Sequence, residues 1–338
     1  FSGEVGAWVV QEAMLTRRAI ASELAVPAET IALTEDVTVG CNIALWGIDW
    51  KAGDRLLLSD CEHPGIVASV MELQRRFNIE VSICPLAATL NEGDPVQVIA
   101  DSLQPNTRLL VISHILWNTG QVLPLTEIVK VCHQAGVKVL VDAAQSVGVL
   151  PLNLIDSGVD FYAFTGHKWW CGPEGLGGLY VSAAALADLH PVFIGWRGIV
   201  TDSHAKVLGW KAGAQRYEIA TSAYPLYSGL RSAIALQHEW GTIQERYAEI
   251  CRLSKYLWER LSELPDVECL RKSAPEAGLV SFRLMNGMPH NQLVNLLEKQ
   301  GIMVRTILSP DCVRACVHYF TTEAEIDRLV EGILRQVR

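Results

Sequence analysis

Apolar positions along the chain fall into two alternating rhythms. Val5, Trp8, Val9, Leu15, Ile20 and Leu24 recur at helical spacing, so the opening segment predicts a helix packed on one face, ended by Pro27. Short β-rich runs then alternate with longer helical stretches: Thr30–Thr34, Arg55–Ser59, Val81–Pro85, Arg108–His114, Lys138–Asp142, Phe161–Phe164 and Leu179–Ser182. Such alternation predicts an α/β fold, with a largely parallel sheet of seven strands covered by helices on both faces. Val137–Val141 is apolar except for Lys138, as suits a central strand buried on both sides.

The texture changes after Tyr224–Pro225. A helical pattern rich in Ala, Leu, Glu and Arg runs from about 226 to 264, where Pro265 ends it. Strand-like Leu279–Leu284, a helix near Asn291–Gln300, strand-like Ile302–Arg305 and Arg314–His318, and a helix near Thr322–Val337 follow. The expected organisation is a large domain over 1–225, a long linking helix over 226–264 and a small α+β domain over 265–338.

Composition narrows the function classes. Half of the 338 residues are hydrophobic and 19% are charged, which favours a sizeable core over disorder. No apolar run approaches the roughly 18 residues of a membrane span. A formal charge of −9 disfavours a nucleic-acid partner. The nine cysteines form no Cys-x-x-Cys pair; they read as reduced thiols in a cytoplasmic protein, not as a disulfide framework. Cys312, Cys316 and His318 make a poor zinc set, so no metal is expected. The chain opens on Phe1 within a helical pattern, as if its natural beginning were missing.

Candidate chemistry lies between His114 and Lys168. Asp142 closes the most apolar strand, where a buried carboxylate needs a cation unless it merely caps the next helix. Val159–Phe164 runs into Thr165–Gly166–His167–Lys168, followed by a glycine-rich tail, which holds Lys168 at a strand end among aromatics. Desolvation there favours a free amine. Lysine for an aldehyde, aspartate for a pyridine nitrogen and a nearby Gln145 together form a pyridoxal phosphate constellation.

Val141–Asp142–Ala143–Ala144–Gln145–Ser146 and Asp160–Phe161–Tyr162–Ala163–Phe164–Thr165–Gly166–His167–Lys168 resemble the signature of the class V aminotransferases, the fold-type I pyridoxal phosphate group that includes cysteine desulfurases. Glu62–His63–Pro64, Trp117–Asn118–Thr119–Gly120, Arg216–Tyr217–Glu218 with Thr221, and Arg314–Ala315–Cys316 extend the likeness in the same order. Leu116–Gln121, Gly195–Trp196–Arg197 and Pro310–Cys316 are most similar to the L-cysteine/cystine C–S lyase branch.

The resemblance implies that Lys168 links to the cofactor aldehyde and later moves the Cα proton. Asp142 pairs with the pyridine nitrogen, Gln145 with the phenolic oxygen, and His63 stacks on the ring. Thr38 and His167 serve the phosphate, with Thr221 reaching it from the other subunit of a homodimer; Val37 and Thr165, the latter standing where relatives often have Ser, also contact the cofactor. Asn118 touches cofactor and substrate, and Trp196 the substrate side. From the residues alone, His63 reads equally as a loop residue, Thr38 as a helix cap and Trp196 as packing.

An amino-acid carboxylate calls for a planar guanidinium fork, and Arg314 and Arg305 are the candidates. Only eight residues separate them, too few for the mobile cysteine-bearing loop of the main desulfurase types. The expected reaction is therefore α,β-elimination from cystine or cysteine, giving pyruvate, ammonia and persulfide or sulfide, with a possible sulfur-acceptor protein. The alternative is a cysteine desulfurase or another class V enzyme. Cys312 and Cys316 are both expected to be held in place.

Overall fold

A computed structural model describes residues 3–337. Its larger sheet has seven strands: β1 (Ile31–Thr34), β2 (Arg55–Ser59), β3 (Glu80–Cys84), β4 (Thr107–Ser113), β5 (Lys138–Asp142), β6 (Phe161–Thr165) and β7 (Gly177–Val181). They lie in the order β1-β7-β6-β5-β4-β2-β3. Pairings among β2 to β6 are parallel, whereas β7 runs antiparallel to β6 and β1. Successive residues alternate between two cores: Leu57, Leu110, Val139, Val141 and Tyr162 pack on one face, Leu56, Leu109, Leu140 and Ala163 on the other. Burial on both faces explains why these strands read as continuous apolar runs.

Helix 37–47 sits unusually close to this sheet because Gly40 has no side chain. A Cβ there would lie 2.9 Å from Ala163 Cβ and 3.1 Å from the Gly178 carbonyl. The close approach brings the start of that helix to the carboxyl end of the sheet, where ligands collect in open α/β folds.

Two short strands, β8 (Ile199–Thr201) and β9 (Val207–Trp210), form an exposed hairpin that the alternation did not reveal. A four-stranded antiparallel sheet comprises β10 (Val267–Cys269), β11 (Leu279–Leu284), β12 (Arg305–Leu308) and β13 (Asp311–Cys316), in the order β10-β11-β13-β12. β10 was not expected. The strand expected at Ile302–Arg305 instead begins at Arg305, and the one expected at Arg314–His318 ends at Cys316.

The expected linking helix is two helices, Tyr224–Trp240 and Ile243–Ser262. Gly241 ends the first, and a capping box starts the second: Thr242 accepts the Glu245 N–H while Glu245 accepts the Thr242 N–H. Between the sheets, Ile115, Val149, Trp169, Ile250, Leu279 and Tyr319 form a seam. Among the described residues, no helix is long and apolar enough to cross a membrane.

Candidate active site

The ends of β4, β5 and β6, the start of helix 37–47 and the small-sheet hairpin enclose a cleft of about 170 Å³. Of the residues singled out in the sequence, Val37, Thr38, His63, Asp142, Gln145, Thr165, His167, Lys168, Arg305 and Arg314 all line it. Asp36, Ser113, Ile115, Trp117 and Ala144 join them.

Asp142 is 6% exposed and accepts one N–H, from Ala144, at 2.9 Å. Burial pushes its carboxyl above the usual range, against the opposing pull of that N–H and of the Lys168 and His63 charges. This carboxylate calls for a cation. Lys168 is exposed to the open cleft, yet desolvation by the cleft walls lowers its amine, and the Arg314 and Arg305 charges lower it further while Asp142 opposes them. His63 caps helix 64–77, its Nδ1 accepting the Gly65 N–H at 3.2 Å, so the neutral ring carries its proton on Nε2. Burial depresses its basicity.

At the other end, Asp36 caps helix 37–47 by accepting the Val39 N–H at 2.9 Å, so Thr38 lies inside the first turn and is not itself the cap. The unpaired N–H groups of a first turn attract anions. Thr165 Oγ1 and His167 Nδ1 are 2.7 Å apart beside them. A phosphate fits this corner.

Arg305 and Arg314 face each other as cross-strand partners on β12 and β13. Arg314 Nη1 donates to the Trp117 carbonyl, its Nε is buried without a partner, and the Arg305 guanidinium lies 6.0 Å from the Trp117 ring centre. Neither arginine has a carboxylate partner among the described residues. The whole donor set suits pyridoxal phosphate: an amine whose pKa is lowered, a buried acid for the pyridine nitrogen, an anion corner for the phosphate, and two guanidiniums with no carboxylate partner among the described residues.

Three expected site residues lie elsewhere. Asn118 stands beside the cleft, where its Nδ2 donates to the Ser309 carbonyl at 3.0 Å and ties the β4 end to the arginine hairpin. Trp196 is 56% exposed, and Thr221 is exposed too; neither lines the cleft of its own chain.

Sequence reasoning passed over Glu62 and Trp169. Glu62 is buried behind the cleft, accepting from Ser59 Oγ at 2.5 Å and Ser113 Oγ at 2.8 Å. Burial pushes it up to about 7, against the pull of those hydrogen bonds. Its place before His63 was the only available signal. Cys312 is buried as expected, but Cys316 is exposed at the end of β13.

A family model described as aminotransferase class-V matches residues 4–329. A cysteine desulfurase of Klebsiella pneumoniae is 32% identical over 325 residues, covering 91% of this chain and 78% of that protein. A structure described as the cystine C-S lyase C-DES with its reaction product, cysteine persulfide, superposes with a TM-score of 0.97 at 49% identity, covering 99% of this chain and 89% of that one. A Lys-to-Ala variant of C-DES, with glycine covalently linked to the PLP cofactor, gives 0.97 at 48% identity over 99% and 88%. The chain belongs to the class-V aminotransferase family.

Proposed function

We propose that this protein is a pyridoxal phosphate-dependent carbon–sulfur lyase that cleaves the Cβ–S bond of L-cystine, or of L-cysteine, by α,β-elimination. Relatives named for cysteine desulfuration and cystine cleavage support a cysteine-processing enzyme. The observation that carries the choice between them is the Arg305–Arg314 connection. Its eight residues are consumed by a hydrogen-bonded hairpin in register from Arg305↔Arg314 to Leu308↔Asp311. No length remains for a sulfur-shuttling arm.

When bound, the cofactor supplies an electron sink that acidifies Cα–H and permits departure of a group from Cβ. Lys168 would hold it, Asp142 would pair with its ring nitrogen, and Val37, Thr38, Thr165 and His167 would surround its phosphate. Arg314 binds the substrate carboxylate, with Arg305 beside it, and so fixes the orientation of the bonds at Cα. Lys168, whose amine is lowered by desolvation in the cleft and by both arginines, takes the Cα proton. His63, its basicity lowered by desolvation, would face the ring from the cleft wall. The sulfur leaves as persulfide from cystine and passes to a thiol acceptor, small molecule or protein.

A homodimer completes the site. The surface carrying Phe193, Ile194, Trp196, Leu208 and Trp210 is apolar and exposed, as interfaces are. It is stiffened from beneath: Arg17 and Arg197 pair with buried Glu218 at 2.5 and 2.6 Å, and Arg197 Nη1 also donates to Ser222 Oγ at 3.2 Å, next to Thr221. We assign Thr221 and Trp196 to the partner's cleft. We also propose that the two sheets mark two domains, and that the nine unpaired thiols belong to a cytoplasmic protein.

Incubation with cystine, followed by assay of pyruvate and persulfide, tests the reaction. Borohydride reduction and peptide mapping should place the cofactor on Lys168. One observation favours a desulfurase instead: Cys316 is exposed and lies two residues beyond Arg314 on β13, on the same face of the strand. Alanine as the product, and its loss in Cys316→Ala, would establish that alternative.

A further inference from the structure

Trp169 follows Lys168 directly, and its Nε1–H donates to Gln145 Oε1 at 2.8 Å with both side chains buried. An indole N–H can only donate, so the amide atom facing it must be oxygen. The Gln145 Nε2 is thereby turned away from the indole, and it has no hydrogen-bond partner among the described residues although Gln145 lines the cleft.

The indole is itself held on several sides. The Trp169 carbonyl accepts from Gln237 Nε2 at 2.8 Å and from His318 Nε2 at 3.0 Å. The His318 ring lies against the indole at 5.3 Å between centres. On the small-sheet side the backbone of Gly278 approaches so closely that a Cβ would come within 2.6 Å of Trp169 Cη2. Trp169 is 5% exposed, so no water competes freely for its N–H.

We propose that Trp169 is a positioning residue: it fixes the amide of Gln145 so that an N–H, and not the carbonyl, is presented to the phenolic oxygen of pyridoxal phosphate. This rests on the cofactor assignment above. A donor at that oxygen stabilises its anion most when the neighbouring nitrogen carries no proton. It therefore lowers the pH at which the bound cofactor loses its proton. Without the indole N–H the amide is free to turn, and a lone pair facing the oxygen has the opposite effect.

The test is a pH titration of the long-wavelength absorbance of holoenzymes. Trp169→Phe should raise the midpoint by about one pH unit, a tenfold change in the proton equilibrium. Gln145→Ala should move it the same way. The double variant should go no further than Gln145→Ala alone, because Trp169 acts through Gln145. Benzothienylalanine at position 169 keeps the indole shape without the N–H and should reproduce the shift if phenylalanine prevents folding. A midpoint moved by Gln145→Ala but by neither change at 169 overturns the proposal and leaves the Gln145 assignment standing. A midpoint unmoved by all of them overturns both. Additive shifts in the double variant also overturn the proposal, since they place Trp169 on a separate route.

Discussion

Asp142 shows how much a single residue carries here. Its carboxylate is stranded at a strand end with one backbone donor, a costly arrangement unless a cation arrives. Asp142→Asn should keep the cofactor, because the phosphate corner and Lys168 are untouched. Turnover should fall by about two orders of magnitude or more, since an unprotonated ring accepts charge poorly. Cofactor absorbance and pyruvate formation measured on the same sample check both halves. Buried His114 makes a separate prediction. Its Nδ1 lies 2.9 Å from the Tyr162 hydroxyl, and burial alone depresses it to about 4. Between that value and the ordinary 6.5, the unfolded chain takes up a proton that the folded protein refuses. Its contribution is therefore present above pH 6.5 and lost as pH falls toward 4, about 3 kcal/mol at full extent. Glu62 has the opposite sign, favouring the fold below its ordinary pKa and losing that effect as pH rises through about 7. The two oppose each other in mild acid, so the raw stability curve conceals both. Denaturant titrations of wild type and His114→Phe should differ by an amount that grows from pH 4 to pH 6.5; a constant difference would remove His114 from the account.

Among the elements, the arginine hairpin carries the proposed choice of elimination over desulfuration. Arg314 is anchored through the Trp117 carbonyl, so Arg314→Ala should raise KM for cystine at least tenfold and lower kcat as well, the substrate being both loosened and misaligned. Arg314→Lys should rescue little, because an ammonium cannot reproduce the planar fork. Cys312→Ala and Cys316→Ala should leave pyruvate formation from cystine within about twofold, apart from packing losses at the buried Cys312. Loss of activity in either variant with the cofactor retained would restore the desulfurase. These elements were unequally legible in the sequence. The strands of the large sheet are apolar on both faces, and the site residues at their ends follow from that placement. The β8–β9 hairpin points apolar residues at solvent, so no burial pattern marks it. The break at Gly241–Thr242 depends on a cap of three residues within a continuous helical rhythm. Arg305 and Arg314 were visible as candidates, but their cross-strand register was not, since it follows from a turn at Ser309–Pro310. Glu62 and Trp169 were not legible as site residues because the partners that place them at the cleft, Ser113 and Gln145, lie 51 and 24 positions away.

For the whole molecule, the placement of Trp196 and Thr221 matters most. Both match the family pattern, yet neither lines its own cleft; both lie on or beside an exposed apolar surface underlain by the Arg17–Glu218–Arg197 cluster. A buried ion network of this kind holds a loop in one shape, and removing one partner leaves an unpaired charge. In the proposed dimer, that cluster would hold the surface in one shape for a second copy. Sedimentation at micromolar concentration should show a dimer, and Leu208→Asp should shift it toward monomer with weaker retention of cofactor. Subunit mixing gives the sharper test. On the shared-site proposal, Lys168→Ala lacks the reactive amine but keeps Trp196, whereas Trp196→Ala keeps the amine but would leave its partner's cleft incomplete. In a mixed dimer, one cleft combines an intact Lys168 with an intact Trp196 from the other chain. Each variant alone should be impaired, and mixing under conditions of subunit exchange should restore cystine cleavage. If the mixture is no more active than the sum of its parts while mixed dimers demonstrably form, Trp196 acts within its own chain or only as packing, and the shared site is wrong.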